Sequence, residues 1–219
     1  MTDRRPSDTP TLTVVHLMRH GEVHNPEGLL YGRLDGYHLS DLGREMAETV
    51  ARHLMADDIT HVVASPLDRA QETARPIAAS HGVAITTDAR VIESANYFEG
   101  KQVGRKDLLH PRHWHVLSNP TKPSWGEPYV QIAERMLAAI DDARRAAYGH
   151  EAVIVSHQLP IWTVRNRLSG HRLWHDPRKR ECSLASLTSL TYEDDELASI
   201  TYSEPAFELL ERASKSVGA

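Results

Sequence analysis

The chain has 219 residues, of which 40% are hydrophobic and 25% charged, with 25 basic against 30 acidic side chains and a net charge of −5. That length suits one well-buried α/β domain carrying an insertion. The acidic balance argues against a general nucleic-acid binder, which needs a broad excess of Lys and Arg. One cysteine, Cys182, excludes an intramolecular disulfide and fits a reducing compartment, where it reads as a small buried hydrophobe.

Residues 1–11 are polar, carry Pro6 and Pro10, and read as a disordered tail without the apolar core of a signal peptide. No later stretch reaches the roughly 18 consecutive apolar residues of a membrane span. The expectation is a soluble cytoplasmic protein with no membrane or nucleic-acid partner. The apolar run 12–18 predicts a first strand, which delivers Arg19-His20-Gly21 to its carboxyl end. Gly21 is expected there to let the backbone turn sharply.

A first helix is predicted to start at Ser40, a good N-cap, and to bury Met46, Val50 and Leu54. A second strand, 61–64, runs into Ser65-Pro66. The helix after it has Ala70, Thr73, Ala74, Ile77 and Ala78 as its inner stripe, and Pro76 is expected to kink or split it. A third strand spans 83–86, followed by Val91-Ile92-Glu93. Residues 94–128, with four prolines and no sustained periodicity, read as an ordered cap over the site. Trp114, Trp125 and Arg33 are candidates to touch substrate there.

The next helix is predicted over 129–148, with Ile132, Met136, Ile140 and Ala143 inward and Gly149 as its C-cap. The strand 152–156 leads directly into His157. Arg178-Lys179-Arg180 reads as a solvated charge run that could flank the site entrance. Segments 183–192 and 197–202 flank an acidic hairpin turn, and 206–219 reads as a short helix fraying into a tail. Strands alternating with helices predict a three-layer α/β/α sandwich over 12–205, with a mostly parallel sheet and one antiparallel edge strand. An edge strand could pair subunits as a homodimer, although nothing in the sequence requires it.

Open α/β sheets bind ligands outside the carboxyl ends of their strands. Two strands deliver a histidine to that edge, His20 and His157, and Arg69 lies in the first turn of a helix starting there. A cation at a helix N-terminus is poorly placed for the dipole, unless it and the helix end share an anion. Glu93 is the best-placed carboxyl group to protonate a leaving alkoxide.

Together Leu17-Met18-Arg19-His20-Gly21-Glu22, Leu39-Ser40-Asp41-Leu42-Gly43, Ser65-Pro66-Leu67-Asp68-Arg69-Ala70 with Thr73-Ala74, and Val155-Ser156-His157 resemble the motifs of the histidine phosphatase superfamily. Members include cofactor-dependent phosphoglycerate mutases and many small phosphatases. The resemblance spans about Leu12 to Tyr202 and implies a phosphoglycerate mutase-like fold. It makes His20 the phosphorylated nucleophile, Arg19, Arg69 and His157 phosphate ligands, and Glu93 the proton donor, with no cofactor and no metal. Three positions depart from the pattern. Val23 stands where the family commonly has Thr, Asn25 falls one residue early for a phosphate ligand, and Gln158 replaces a frequent Gly. Asn25 and Gln158 are therefore secondary candidates for phosphate binding.

The expected activity is hydrolysis of a small phosphomonoester through phosphohistidine. The alternative is a mutase-type phosphotransferase, for which Arg33, Lys101, Arg105 and Lys106 could hold a second charged group. Fourteen histidines, notably His110, His113, His115, His171 and His175, raise a metal-binding reading. Their lack of nearby cysteines favours surface or cap positions instead. An inactive phosphate-binding module is the third reading, disfavoured by retention of the whole His/Arg/Glu set.

Overall fold

The computed structural model describes residues 9–101 and 126–213. In chain order the elements are β1 (Leu12–Arg19), α1 (Asp41–His53), β2 (Ile59–Ala64), α2 (Asp68–His81), β3 (Ile85–Thr87), α3 (Tyr129–Ala146), β4 (Glu151–Ser156), α4 (Gln158–Leu168), β5 (Leu187–Glu193), β6 (Glu196–Ser203) and α5 (Phe207–Leu210). The sheet order is β3-β2-β4-β1-β5-β6. Pairing is parallel from β3 to β1, and antiparallel from β1 to β5 and from β5 to β6.

Successive strand residues point to opposite faces, and the two hydrophobic clusters divide accordingly. Val15, Leu17 and Ile154 join Ile132, Met136 and Ile140 of α3 and Val164 of α4. Met18, Val153 and Val155 join Met46 and Val50 of α1 and Ala70, Ala74 and Ile77 of α2. The parallel strands are thus covered on both sides, as expected for the three-layer sandwich.

Local chemistry accounts for most element ends. Ser40 caps α1, its Oγ accepting from Gly43 N at 2.9 Å. The turn between β5 and β6 contains only Asp194 and Asp195, with Asp194 at φ 55°, a conformation that Asp tolerates. Of the two outcomes expected at Pro76, a kink or a split, the split does not occur: α2 runs unbroken through it. Its inner face, Ala70, Thr73, Ala74, Ile77 and Ala78, is buried, so tertiary packing outweighs the lost backbone donor. Gly149 (φ 80°) falls two residues beyond the actual C-cap of α3, Ala147, and its N–H donates to Thr13 Oγ1 at 3.0 Å. Among the described residues, no helix is long and apolar enough to cross a membrane.

Candidate active site

The strand register brings the polar residues together. Arg19 pairs with Ser156 across β1 and β4, so His20 and His157 follow side by side, their ring centroids 5.2 Å apart. Ala64 pairs with Val155, which places Ser65 beside the same carboxyl edge. Both histidines, Ser65 and Arg69 have no solvent exposure.

His20 Nδ1 lies 2.8 Å from Gly21 O. A carbonyl only accepts, so Nδ1 carries the proton and Nε2 keeps its lone pair. Nε2 is buried without a hydrogen-bond partner among the described residues. Burial, then the guanidinium charges of Arg69 and Arg19, hold the His20 pKa well below its ordinary value. His157 is held low for the same reasons, with burial again the largest cause. Its Nε2 meets Ser65 Oγ at 2.8 Å, while Nδ1 is buried and unpartnered.

Three further groups share this pattern. Arg19 donates from Nη1 to Cys182 O at 2.8 Å, Arg69 donates from Nη2 to Gly32 O at 2.5 Å, and each leaves Nε buried without a partner. The Arg69 guanidinium also lies over the Tyr31 ring at 4.7 Å. Glu93, 4% exposed, accepts from Ser94 N on Oε1 at 2.7 Å and leaves Oε2 unpartnered. Each of the five residues assigned to phosphate chemistry therefore holds one buried polar atom in reserve. Buried polar atoms are rarely left unpaired, and these five at one edge set guanidinium donors suited to an anion beside two acceptors, His20 Nε2 and Glu93 Oε2.

Neighbouring residues hold this arrangement from behind. Gly21 does not adopt the positive φ that a sharp turn would demand. A Cβ there would lie 2.5 Å from Gly43 O, and one on Gly43 would lie 2.0 Å from Glu22 O. Both glycines are needed because two backbones touch. Thr73 Oγ1 accepts from Gly21 N at 3.1 Å and donates to Arg69 O at 2.7 Å, tying the loop after His20 to α2. Ser156 Oγ donates to Val91 O at 2.7 Å, fixing the approach to Glu93. Sequence reasoning gave Ser65 and Ser156 no role and Thr73 only a place on the inner stripe of its helix, although the quoted motifs contain all three. Tyr31 carried no sequence signal, because a loop brings it to Arg69.

Other candidates are placed differently. Both ends of the Asn25 amide are bonded to the Leu29 backbone, at 2.9 and 3.1 Å, so this side chain closes its own turn. Val23 is buried and bridges Leu39. Arg33, expected at the substrate, instead donates from Nε to Glu93 O at 2.6 Å and from Nη2 to Glu127 Oε2 at 3.0 Å. Gln158 reaches Cys182 O and Arg180, both at 3.3 Å. The run 178–180 is only partly solvated: Arg178 and Lys179 are exposed, whereas Arg180 turns inward and lines a cavity with Glu93. Trp114, Trp125, Arg105, Lys106, His110, His113 and His115 lie outside the described residues. Burial pushes the Cys182 thiol up to about 11, and its carbonyl, not its sulfur, serves the site.

Among the described residues, the group with metal-ligand geometry is His16, Asp57 and Glu151. It lies at the opposite end of the sheet, where β4 begins, and His16 already bonds Ser189 and Glu151 at 2.7 and 2.6 Å. His175 bonds Leu173 O and Arg180 and is not paired with His171.

A buried histidine with a free lone pair, flanked by two guanidiniums and a second imidazole on a doubly wound sheet, defines a phosphate-handling α/β protein. The chain belongs to the histidine phosphatase superfamily (branch 1), whose family model matches residues 15–204. It is 59% identical over 199 residues to the uncharacterized protein Rv0525 of Mycobacterium tuberculosis, covering 90% of this chain and 98% of that one. It is also 29% identical over 188 residues to the Yersinia pestis protein named "Probable phosphoglycerate mutase GpmB", covering 82% and 85% of the two chains. Among solved structures, mycobacterial glucosyl-3-phosphoglycerate phosphatase shares the fold at 24% identity and a TM-score of 0.72, over 88% of this chain and 98% of that one.

Proposed function

We propose that the protein is a phosphomonoester hydrolase that works through a covalent phosphohistidine on His20. The observation that carries this reading is the set of reserved buried atoms: His20 Nε2, Arg19 Nε, Arg69 Nε, His157 Nδ1 and Glu93 Oε2. They comprise a nucleophile, three phosphate ligands and one acid.

In the first step the Nε2 lone pair forms a bond to phosphorus as the ester P–O bond breaks, and the Glu93 carboxyl gives its proton to the departing oxygen. Arg19, Arg69 and the Nδ1–H of His157 stabilise the remaining phosphoryl oxygens, with Ser65 Oγ donating to His157 Nε2 to set that tautomer. In the second step Glu93 takes a proton from water, whose oxygen bonds to phosphorus. The N–P electron pair returns to His20, and inorganic phosphate leaves. The two guanidiniums supply the charge that metals supply at other phosphoryl-transfer sites.

Of the basic residues a mutase could use, the two that lie among the described residues, Arg33 and Lys101, both have partners within the protein, which supports hydrolysis over transfer to a second alcohol. Arg33 is bound to Glu93 O and Glu127, and Lys101 Nζ lies over the Tyr97 ring at 4.9 Å. The test is phosphate release from p-nitrophenyl phosphate. H20A is expected to lower kcat by about 10³-fold or more. E93Q is expected to slow the water step for every substrate and, in the first step, to slow alkyl phosphates far more than the aryl ester, whose leaving group needs no proton. Undiminished turnover by H20A, or a trapped phosphoryl group on another residue, would overturn the assignment.

A further inference from the structure

His16, Asp57 and Glu151 form a second polar cluster, at the end of the sheet away from His20. Side chains alternate along a strand, so His16 shares a face with Met18, and Glu151 with Val153, on the side covered by α1 and α2. The parallel register sets Val14 beside Glu151, which leaves His16 one pleat further along the same face. β2 pairs Ile59 with Glu151, which brings the turn before β2, and Asp57 with it, to the start of β4. Backbone bonds hold that turn: Asp57 N donates to Leu54 O, and Glu151 N donates to Asp58 O, both at 3.0 Å.

His16 is only 8% exposed. Its Nδ1 lies 2.7 Å from Ser189 Oγ, and its Nε2 is turned to Glu151 Oε2 at 2.6 Å. Two carboxylates thus converge on one imidazole. Among the described residues, no lysine or arginine pairs with either acid, and the Asp57 carboxylate has neither a hydrogen bond nor an ion pair. Asp58 alongside is occupied by His150 at 2.6 Å. Like charges held close repel, and a divalent ion between them removes that repulsion.

One ligand atom from each of the three residues lies within 4.8 Å of the other two. Tetrahedral zinc, with nitrogen and oxygen ligands at about 2.1 Å, sets its ligands roughly 3.4 Å apart. Small rotations of Asp57 and Glu151, both half-buried, close the set to that spacing. Ser189 then accepts from the far ring nitrogen of His16, the outer hydrogen bond that metal-bound histidines generally make.

We propose that His16, Asp57 and Glu151 bind a divalent, zinc-like transition-metal ion, with water in the fourth position. The imidazole favours such an ion over magnesium or calcium, whose preferred ligands are all oxygens, and the two carboxylates balance its charge. The ion takes the place of the hydrogen between His16 Nε2 and Glu151 Oε2, which passes to solvent. Because the ligands come from β1, β4 and the turn between α1 and β2, the ion pins these three segments together. It takes no part in phosphoryl transfer, and the site stands independently of the phosphatase reading.

Titration of metal-free, full-length protein with Zn²⁺ in a calorimeter tests the site. The wild type is expected to show one site that D57A weakens by about 100-fold, and to gain a higher melting temperature with Zn²⁺ than D57A gains. D57A is the informative variant because its side chain has no partner to lose, so the metal-free protein should fold and melt as the wild type does. H16Q and E151Q are expected to weaken the same site. Binding by the other histidines of the chain is unaffected by D57A and so drops out of the comparison. Equal Zn²⁺ affinities and equal thermal shifts in wild type and D57A would overturn the site, as would tighter binding of Mg²⁺ than of Zn²⁺.

Discussion

At the scale of single residues, the chemistry turns on two imidazoles kept neutral. Burial and the charges of Arg69 and Arg19 lower both His20 and His157 well below the ordinary value of 6.5. The nucleophile is therefore expected to keep its lone pair as the pH falls through 6.5. Corrected for substrate ionisation, kcat/KM should hold there and decline only in more acid solution; a fall centred near 6.5 would contradict it. The same shifts set a sign for stability. Below 6.5 the unfolded chain binds protons that the folded one refuses, so stability is full above that pH and is lost progressively below it. Urea midpoints at pH 7.5 and 5.5 would show the drop, and H157Q should reduce it. Arg19, His20, Arg69 and His157 were legible as a set because each adjoins a strand end or opens the helix that follows one. Tyr31 and Arg180 were not, because loops carry them in, and the charge run around Arg180 hides which of its members turns inward.

At the scale of elements, close backbone contact governs the nucleophile loop. Gly43 opens α1 directly against Glu22, and Gly21 rests on Gly43. G43A would drive a Cβ into the Glu22 carbonyl and is expected to cost about 3 kcal/mol by denaturant unfolding. It should also lower activity by displacing His20. A variant with wild-type stability and turnover would show that this contact relaxes freely. Helix and strand positions were readable from apolar periodicity. What periodicity missed was tertiary: α2 continues through Pro76 because its inner face is anchored, and α3 stops at Ala146, with Gly149 used in the following turn.

At the scale of the whole molecule, the site belongs to no single element. β1, β2, β4, the N-terminal turn of α2 and the loop around Glu93 each contribute, so an anion bound among them ties the sheet to its flanking helices. Inorganic phosphate is expected to raise the melting temperature, by a stabilisation of about 2.7 kcal/mol at 100 times its Kd. R69A should abolish most of that increment, and an equal increment in R69A would place the phosphate elsewhere. Arg33 and Arg135 extend the same assembly. Both grip Glu127, Arg33 at 3.0 Å and Arg135 at 2.8 Å, while donating to the carbonyls of Glu93 and Arg90 at 2.6 and 2.5 Å. That clamp holds the segment from Arg90 to Glu93 at both ends, and it engages the Arg33 guanidinium within the protein.

The sequence alone determined the alternation of strands and helices, the family, and the candidate residues for phosphate chemistry, because periodicity and strand-end motifs are local properties of the chain. Only the tertiary structure decided which nitrogen of His20 keeps its lone pair, that Asn25 is spent on its own turn, that Gly21 and Gly43 are paired, and that Arg180 turns inward onto Gln158. Those properties are set by what lies opposite each group across the fold, and residues brought together over long sequence separations leave no periodic trace.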